Sequence, residues 1–388
     1  MPRSMRTRNI AHVVPSMEIG GAEMMLANLL AGMNRKGWRS SVVSLRGGGT
    51  LQDGMKALGV EVVTVGMRGS LPGPRSGWRL RREVRGLAPQ LIQGWMYHGN
   101  LAALAARVLS GRRPLVVWNI RSDVFQFSRE KRLTAGLVRL CCLLSSIPDR
   151  IIYNSRSGAR RHAELGFATK NATVIPNGFD TRTFAPSPAA RAAFRKRLGV
   201  SEDAVLIGRI GRYHPVKDFP GFLQAAAILA RRHGHVRFVL AGPGVDRSNA
   251  ELLGLVNRYG LGERVHMLGC VRPANEVMAA LDILCSSSAY GESFPNVLGE
   301  AMACEVPCVT TDLGDCAWIV GSAGQVVPPR NPVALATALD GMVEVGPEAR
   351  KRLGMKGRER ILNEFAIQGV ISQYERVYEE LLERVERL

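Results

Sequence analysis

Two carboxylates, Glu292 and Glu300, bracket the segment Glu292-Ser293-Phe294-Pro295-Asn296-Val297-Leu298-Gly299-Glu300. The segment follows a strand-like apolar run and reads as a loop entering a helix, with Pro295 where a missing N–H costs nothing. Glu292 then lies in the loop, and Glu300 lies on the helix about one turn beyond Asn296. N–H groups near Phe294, Pro295, Asn296 and Val297 would present the positive end of the helix dipole to a ligand. A fully helical stretch of this length would reach about 12 Å. Acceptor oxygens at both ends of such a span suit a ligand with hydroxyls at each end and negative charge between.

A source of positive charge for that middle lies in Gly211-Arg212-Tyr213-His214-Pro215-Val216-Lys217-Asp218. Arg212 and Lys217 sit after a strand-like run and just before a helical one. A guanidinium fork with an ammonium nearby suits a diphosphate, and the two carboxylates would then hold opposite ends of a nucleotide sugar. No Gly-x4-Gly-Lys-Ser/Thr loop occurs. On a basic chain, isolated cations more often simply face solvent.

The first half offers fewer such groups. Gly20 and Gly21 in Ile19-Gly20-Gly21-Ala22-Glu23 open a helix after the first strand, where bare backbone N–H groups can approach a phosphate or sugar. His98, in Gly94-Trp95-Met96-Tyr97-His98-Gly99-Asn100, follows the fourth strand. Its imidazole could orient a reacting hydroxyl or hold a leaving group, although a lone histidine is more often a structural hydrogen bonder. No GxGxxG follows the first strand and no acid ends the second, which counts against a nicotinamide or flavin site.

The elements that must position these residues form two series. Strand-like runs occur at 9–14, 40–45, 61–65, 90–95, 115–120, 150–154 and 173–175, and again at 204–210, 236–241, 264–268, 283–286, 307–310 and 325–327. Helical patterns such as 22–32, 100–109, 219–232 and 332–343 separate them. Apolar strands alternating with helices imply parallel sheets covered on both faces. The expectation is an α/β chain of two Rossmann-like doubly wound domains facing across a cleft, with ligands at the carboxyl ends of the strands. Residues 1–185 form the first domain and 186–365 the second. The amphipathic helix 366–388 packs back on the first. The Pro-rich segment Thr181–Pro188 is the expected seam and hinge.

The 388 residues suit two domains. Apolar residues make up 46% and charged residues 22%, which excludes wholesale disorder. The net charge of +19 is unevenly placed, with 28 basic and 10 acidic side chains in residues 1–190. That excludes a uniformly basic, histone-like chain and asks what polyanion the first half meets. No zinc-finger or RNP-like motif supports nucleic acid, and none is expected as a partner. Leu133–Ile147 is too short to span a membrane and carries Arg139. No signal peptide is read at the basic N-terminus. Seven cysteines without a Cys-x2-Cys pair point to reduced, mostly buried thiols and a cytoplasmic protein. Arg75–Arg85 and Arg129–Ile147 mix cations with apolar residues, the composition of interfacial helices, so an anionic membrane surface is an expected partner on the cytoplasmic face.

With these residues in view, the chain resembles the retaining glycosyltransferases of family 4, which have the GT-B architecture. The resemblance is strongest over residues 204–345. It rests on the Gly211–Lys217 loop, the Glu292 to Glu300 element and the following run Glu300-Ala301-Met302-Ala303-Cys304-Glu305-Val306-Pro307-Cys308. Gly20-Gly21-Ala22-Glu23, His98 and Ile175-Pro176-Asn177-Gly178-Phe179-Asp180 agree with it in the first half.

The resemblance implies that Arg212 and Lys217 bind the donor diphosphate and that Glu300 binds the ribose. It implies that Glu292 contacts the transferred sugar, helped by backbone amides near Phe294, Pro295, Asn296 and Val297. Gly20 and Gly21 would lie over the diphosphate, with His98 near the anomeric centre. The implied reaction moves a sugar with retention from a nucleotide-diphosphate sugar to a saccharide or lipid-linked acceptor in cell-surface polysaccharide synthesis. It implies no bound metal or other cofactor, and the sequence contains no Asp-x-Asp. A sugar-phosphate synthase of the same fold is the alternative. Asp218 stands where the family often has Gly.

Overall fold

The computed structural model describes residues 8–18, 20–33, 37–67, 73–122 and 132–387. The chain divides into two compact units: residues 1–178 with 367–388, and residues 179–366.

Unit 1 is built on seven parallel strands: β1 (Arg8–Val14), β2 (Trp38–Ser44), β3 (Glu61–Thr64), β4 (Leu91–Trp95), β5 (Leu115–Ile120), β6 (Arg150–Tyr153) and β7 (Ala172–Val174). Their order is β3-β2-β1-β4-β5-β6-β7. Unit 2 holds six parallel strands: β8 (Val205–Ile210), β9 (Val236–Ala241), β10 (Val265–Met267), β11 (Ile283–Ser286), β12 (Cys308–Thr311) and β13 (Gly324–Val327). Their order is β10-β9-β8-β11-β12-β13. Each expected strand run coincides with one of these strands to within two residues. The central strands bury both faces, so their sequences are continuous Val, Ile and Leu rather than alternating.

In both sheets the winding reverses between a first and a fourth strand, β1 with β4 and β8 with β11. Loops leaving these pairs diverge and open a crevice at the carboxyl edge. Gly20 follows β1 and His98 follows β4, while Arg212 and Lys217 follow β8 and Glu292 follows β11.

The chain passes between units at Gly178–Phe179 and Ala366–Ile367. The first passage therefore precedes the Thr181–Pro188 segment expected to be the seam. Arg358 fastens that segment into unit 2, donating from Nη1 to the Phe184 carbonyl and from Nη2 to the Thr181 carbonyl, both at 3.3 Å. The last helix, Ile367–Glu386, packs on unit 1. Its buried Tyr374 hydroxyl accepts from Asn119 Nδ2 at 2.8 Å and Arg121 Nη1 at 3.2 Å. Tyr378 donates to Gln93 Oε1, and Glu379 pairs with Arg8. This helix adds five acids, so unit 1 carries 30 basic and 14 acidic side chains, a net of +16.

Candidate active site

In unit 2 a tight turn and a buried arginine shape the loop after β8. Gly211 N–H donates to the Ala241 carbonyl and Tyr213 N–H to the Pro243 carbonyl, each at 2.8 Å, tying the loop to the exit of β9. Arg209, on β8 and fully buried, donates from Nε to Ser287 Oγ at 2.9 Å and from Nη2 to the Lys217 carbonyl. Its guanidinium lies 4.8 Å from the Phe219 ring centroid. Asp218 adopts the left-handed conformation, φ 47° and ψ 54°, and its side chain caps the next helix by accepting from Gly221 N–H at 3.0 Å. Asp tolerates this conformation better than most residues, so the turn closes without the glycine common in the family.

That scaffold delivers Lys217 to Glu292. The ammonium donates to Glu292 Oε1, and Ser288 Oγ donates to the same oxygen at 2.7 Å. Glu292 is buried, which pushes its carboxyl up. The Lys217 charge, the bonds from Lys217 and Ser288, and Arg209 more than offset this and hold it below the ordinary range. Ser288 is itself anchored, since its carbonyl accepts from Thr311 Oγ1 at 2.8 Å. Arg212 is exposed and makes no hydrogen bond or ion pair among the described residues.

The helix after this loop spans Asn296–Ala303, with Pro295 as its N-cap and no side chain capping it. Asn296 and Val297 are its first residues and are half-buried. Only the interval from Asn296 to Glu300 is helical, so the 12 Å estimate for an unbroken helix between the carboxylates does not apply. Phe294 turns its ring into the core, 6.2 Å from the Phe179 ring and 5.8 Å from Trp318, leaving only its backbone for a ligand. Gly299 makes room for Phe179, because a Cβ there would lie 2.1 Å from that ring. Glu300 is half-buried without a hydrogen-bonding or ionic partner among the described residues, and burial raises its carboxyl to about 7.

Unit 1 places its residues by equally tight packing. The helix Met96–Ser110 follows β4 without a loop, and Met96 takes φ 58° to make the turn. A Cβ on Gly99 would stand 2.4 Å from the Val13 carbonyl, so only glycine lets this first turn sit against the end of β1. His98 is half-buried and its Nε2 is enclosed without a hydrogen-bond partner. Burial, then the charge of Arg46, lowers its pKa and keeps the ring neutral. Gly20 and Gly21 stand at the start of the helix Gly21–Met33, where Met24 N–H donates to the Gly20 carbonyl at 3.0 Å. Ile19 lies outside the described residues.

Several contributors escaped the sequence reading. Arg209, Ser287 and Ser288 were legible only as one charge and two hydroxyls inside or beside apolar runs. In unit 1, Arg121 is buried, lies 5.5 Å from the Trp95 ring and donates to Asn177 Oδ1. His12 is fully buried, accepts from Trp95 Nε1 at 3.3 Å, and burial pulls its pKa down to about 3.

Among the described residues, His233, Asp340 and Glu344 form a group with metal-ligand spacing. Asp340 and Glu344 already bind Arg232, and the group is remote in sequence from both switch-point loops. Cys304, Cys308 and Cys316 are buried, and burial lifts the Cys304 and Cys316 thiols to about 12, which disarms them as nucleophiles.

Comparison with known proteins accounts for both halves. The family described as glycosyl transferases group 1 matches residues 204–344, and glycosyltransferase family 4 matches residues 19–183. N-acetyl-alpha-D-glucosaminyl L-malate synthase of Bacillus anthracis is 25% identical, over 74% of this chain and 72% of its own. D-inositol 3-phosphate glycosyltransferase of Kineococcus radiotolerans is 31% identical, over 55% of this chain and 53% of its own. The crystal structure of HepE from Anabaena in complex with UDP superposes with a TM-score of 0.83 at 21% identity, covering 96% of this chain and all (100%) of that one. With both domain families matched in order and two doubly wound units beneath them, the chain belongs to the group 1, family 4 glycosyltransferases and has the GT-B fold.

Proposed function

We propose that the protein is a retaining hexosyltransferase that moves a sugar from a nucleotide-diphosphate sugar to a saccharide or lipid-linked acceptor in assembly of a bacterial-type cell-surface polysaccharide. The observation that carries this reading is the Lys217–Glu292 pair beside the unpaired Arg212 at the switch point of unit 2. Arg212 and Lys217 bind the donor diphosphate, with N–H groups near Asn296 and Val297 adding the positive end of a helix dipole. Lys217 then shares its charge between phosphate and Glu292, and Glu292 accepts from a hydroxyl of the sugar. Glu300 has no partner of its own and accepts from the ribose. In unit 1, Gly20 and Gly21 offer bare backbone N–H groups to a phosphate, and the neutral His98 can orient a reacting hydroxyl. Similar structures in complex with UDP and with UDP-glucose support this class of donor.

The acceptor oxygen bonds to the anomeric carbon on the face from which the diphosphate leaves. The bond from that carbon to the phosphate oxygen breaks, and the acceptor proton passes to the departing phosphate. Cations fixed beside that phosphate stabilise the charge growing on it. Incubating wild type, Lys217→Ala and Glu300→Ala with labelled nucleotide sugars tests the assignment. Undiminished transfer by both variants sinks it, and a product of inverted anomeric configuration sinks retention.

A second reading, a small anionic acceptor, is favoured by the names of two relatives, which carry malate and inositol 3-phosphate. Against it stands the surface of unit 1. The helix Pro74–Leu87 bears five arginines, one glutamate and Trp78 at 60% exposure. The helix Arg132–Leu144 exposes Leu133 and Leu143. Such composition suits an anionic membrane face, although no helix among the described residues is long and apolar enough to cross a membrane.

A further inference from the structure

At the far end of the helix Phe219–Arg232 from Lys217, about 21 Å along it at the usual rise, the chain runs through His233-Gly234-His235 into β9. Asp340 and Glu344 stand one turn apart on the helix Pro332–Glu344, which packs against it. Ligand atoms of His233, Asp340 and Glu344 all lie within 4.8 Å of one another. His233 Nε2 and Asp340 Oδ1 are already at 2.7 Å. Donors sharing one tetrahedral zinc ion stand about 3.4 Å apart, so modest side-chain rotations close this shell.

Two further features point to a cation here. The His235 ring centre lies 5.8 Å from that of His233, with the planes at 86°. Two imidazoles on one tetrahedral ion have centres about 5 Å apart, so the exposed His235 reaches the same ion by turning about its own side-chain bonds. Arg232 meanwhile bridges the carboxylates, donating from Nη1 to Asp340 Oδ2 and from Nη2 to Glu344 Oε1 at 3.1 Å. The pair of acids thus attracts a cation as the chain stands. That cation is replaceable, because the Arg232 and Glu344 side chains are 57% and 55% exposed, and exposed ion pairs are weak. Asp340 is buried, so its charge needs another positive partner once Arg232 leaves.

We infer that His233, His235, Asp340 and Glu344 form a zinc site, with Arg232 as its built-in competitor. Two imidazoles and two carboxylates suit a borderline divalent ion, whereas Ca²⁺ and Mg²⁺ take oxygen ligands almost alone. Four side-chain donors complete a tetrahedral shell and leave no position for a substrate, the pattern of a structural ion. The ion clamps the last turn of the helix Phe219–Arg232 to the last turns of the helix Pro332–Glu344. It lies at the opposite end of its helix from Lys217, so it takes no part in sugar transfer and is independent of the role given to the donor loop.

The test titrates the full chain, freed of metal by a chelator and dialysed, with Zn²⁺, Mg²⁺ and Ca²⁺ in a calorimeter. Wild type is expected to bind one Zn²⁺ about a hundredfold or more tighter than either other ion. His233→Ala and His235→Ala should each weaken Zn²⁺ binding about tenfold or more. His235 is exposed, so His235→Ala decides the matter even where His233→Ala fails to fold. Arg232→Gln removes the competitor and should bind Zn²⁺ about threefold or more tighter than wild type. Co²⁺ in place of zinc should show tetrahedral ligand-field bands without thiolate charge transfer. Undiminished Zn²⁺ binding by His235→Ala, no gain in Arg232→Gln, Mg²⁺ or Ca²⁺ binding as tight as Zn²⁺, or a thiolate charge-transfer band with Co²⁺ would each overturn the inference.

Discussion

Lys217 and Glu292, 75 residues apart in the chain, meet as an ion pair because β8 and β11 lie side by side. Lys217 arrives on the loop after one strand and Glu292 on the loop after the other. The pair holds Glu292 ionised despite its burial. It also holds an ammonium at the point where the winding of the sheet reverses. Family membership thus acquires a local physical basis: the sheet order brings the two groups together, and Arg209 fixes the loop that delivers one of them.

Removing Lys217 leaves a buried carboxylate without its partner. Lys217→Ala is expected to destabilise the empty protein by about 1–3 kcal/mol, less than a fully buried pair because the lysine is partly exposed. Adding Glu292→Gln should restore most of that stability and none of the transfer activity. Thermal unfolding of the two single variants and the double variant measures this coupling. Additive losses would contradict the pairing.

Arg209 is not assigned a ligand contact, yet it holds the Lys217 carbonyl and Ser287. Arg209→Met should cost about 2–4 kcal/mol of stability by leaving buried acceptors unpaired. At a temperature where the variant is folded, its KM for the donor should still rise. Arg209→Lys should recover less than half of the loss, because an ammonium lacks the planar fork. An unchanged KM in a folded Arg209→Met protein would remove its positioning role.

Much of this architecture was legible in the sequence. Buried parallel strands write themselves as unbroken Val, Ile and Leu runs, and each such run became a strand. The loop around Lys217 and the helix start at Asn296 were legible because Gly and Pro mark turns. Long-range partners were not. Nothing local to Ser288 indicates that it donates to Glu292, and Arg209 inside β8 looks like an interruption until the loop it holds is seen. Phe294 was read for its backbone N–H alone, and nothing in its local sequence showed that its ring packs on Phe179 and Trp318. The Pro-rich Thr181–Pro188 segment resembled a seam by composition, but Arg358 binds it into unit 2.

Glu300 makes a pH dependence specific. Its carboxyl is raised from an ordinary 4.5 to about 7, so between these values the folded chain binds more protons than the unfolded one. This carboxyl therefore lowers stability as pH rises from about 4.5, and its contribution levels off above about 7. Ribose hydroxyls favour the ionised form, so donor affinity should rise with pH through the same window and flatten above it. Glu300→Gln should abolish both slopes. Calorimetric donor titrations at pH 5.5, 6.5 and 7.5, as an example series, check the sign.

Gly299 sets the position of the helix that carries Glu300. Gly299→Ala would press a methyl group into the Phe179 ring and should cost about 1–3 kcal/mol by overpacking. Phe179→Leu in the same chain should relieve part of that strain. A melting temperature unchanged by Gly299→Ala would show that the contact yields without cost.

The central claim is that the loop after β8 holds the donor diphosphate. Titration calorimetry with the nucleoside diphosphate that most stabilises the wild type tests it directly, using Arg212→Ala and Lys217→Ala beside wild type. Arg212→Ala leaves no buried charge behind and should melt as wild type does. Each variant is expected to bind the diphosphate at least tenfold more weakly, about 1.4 kcal/mol or more. Wild-type affinity in both variants would contradict the account.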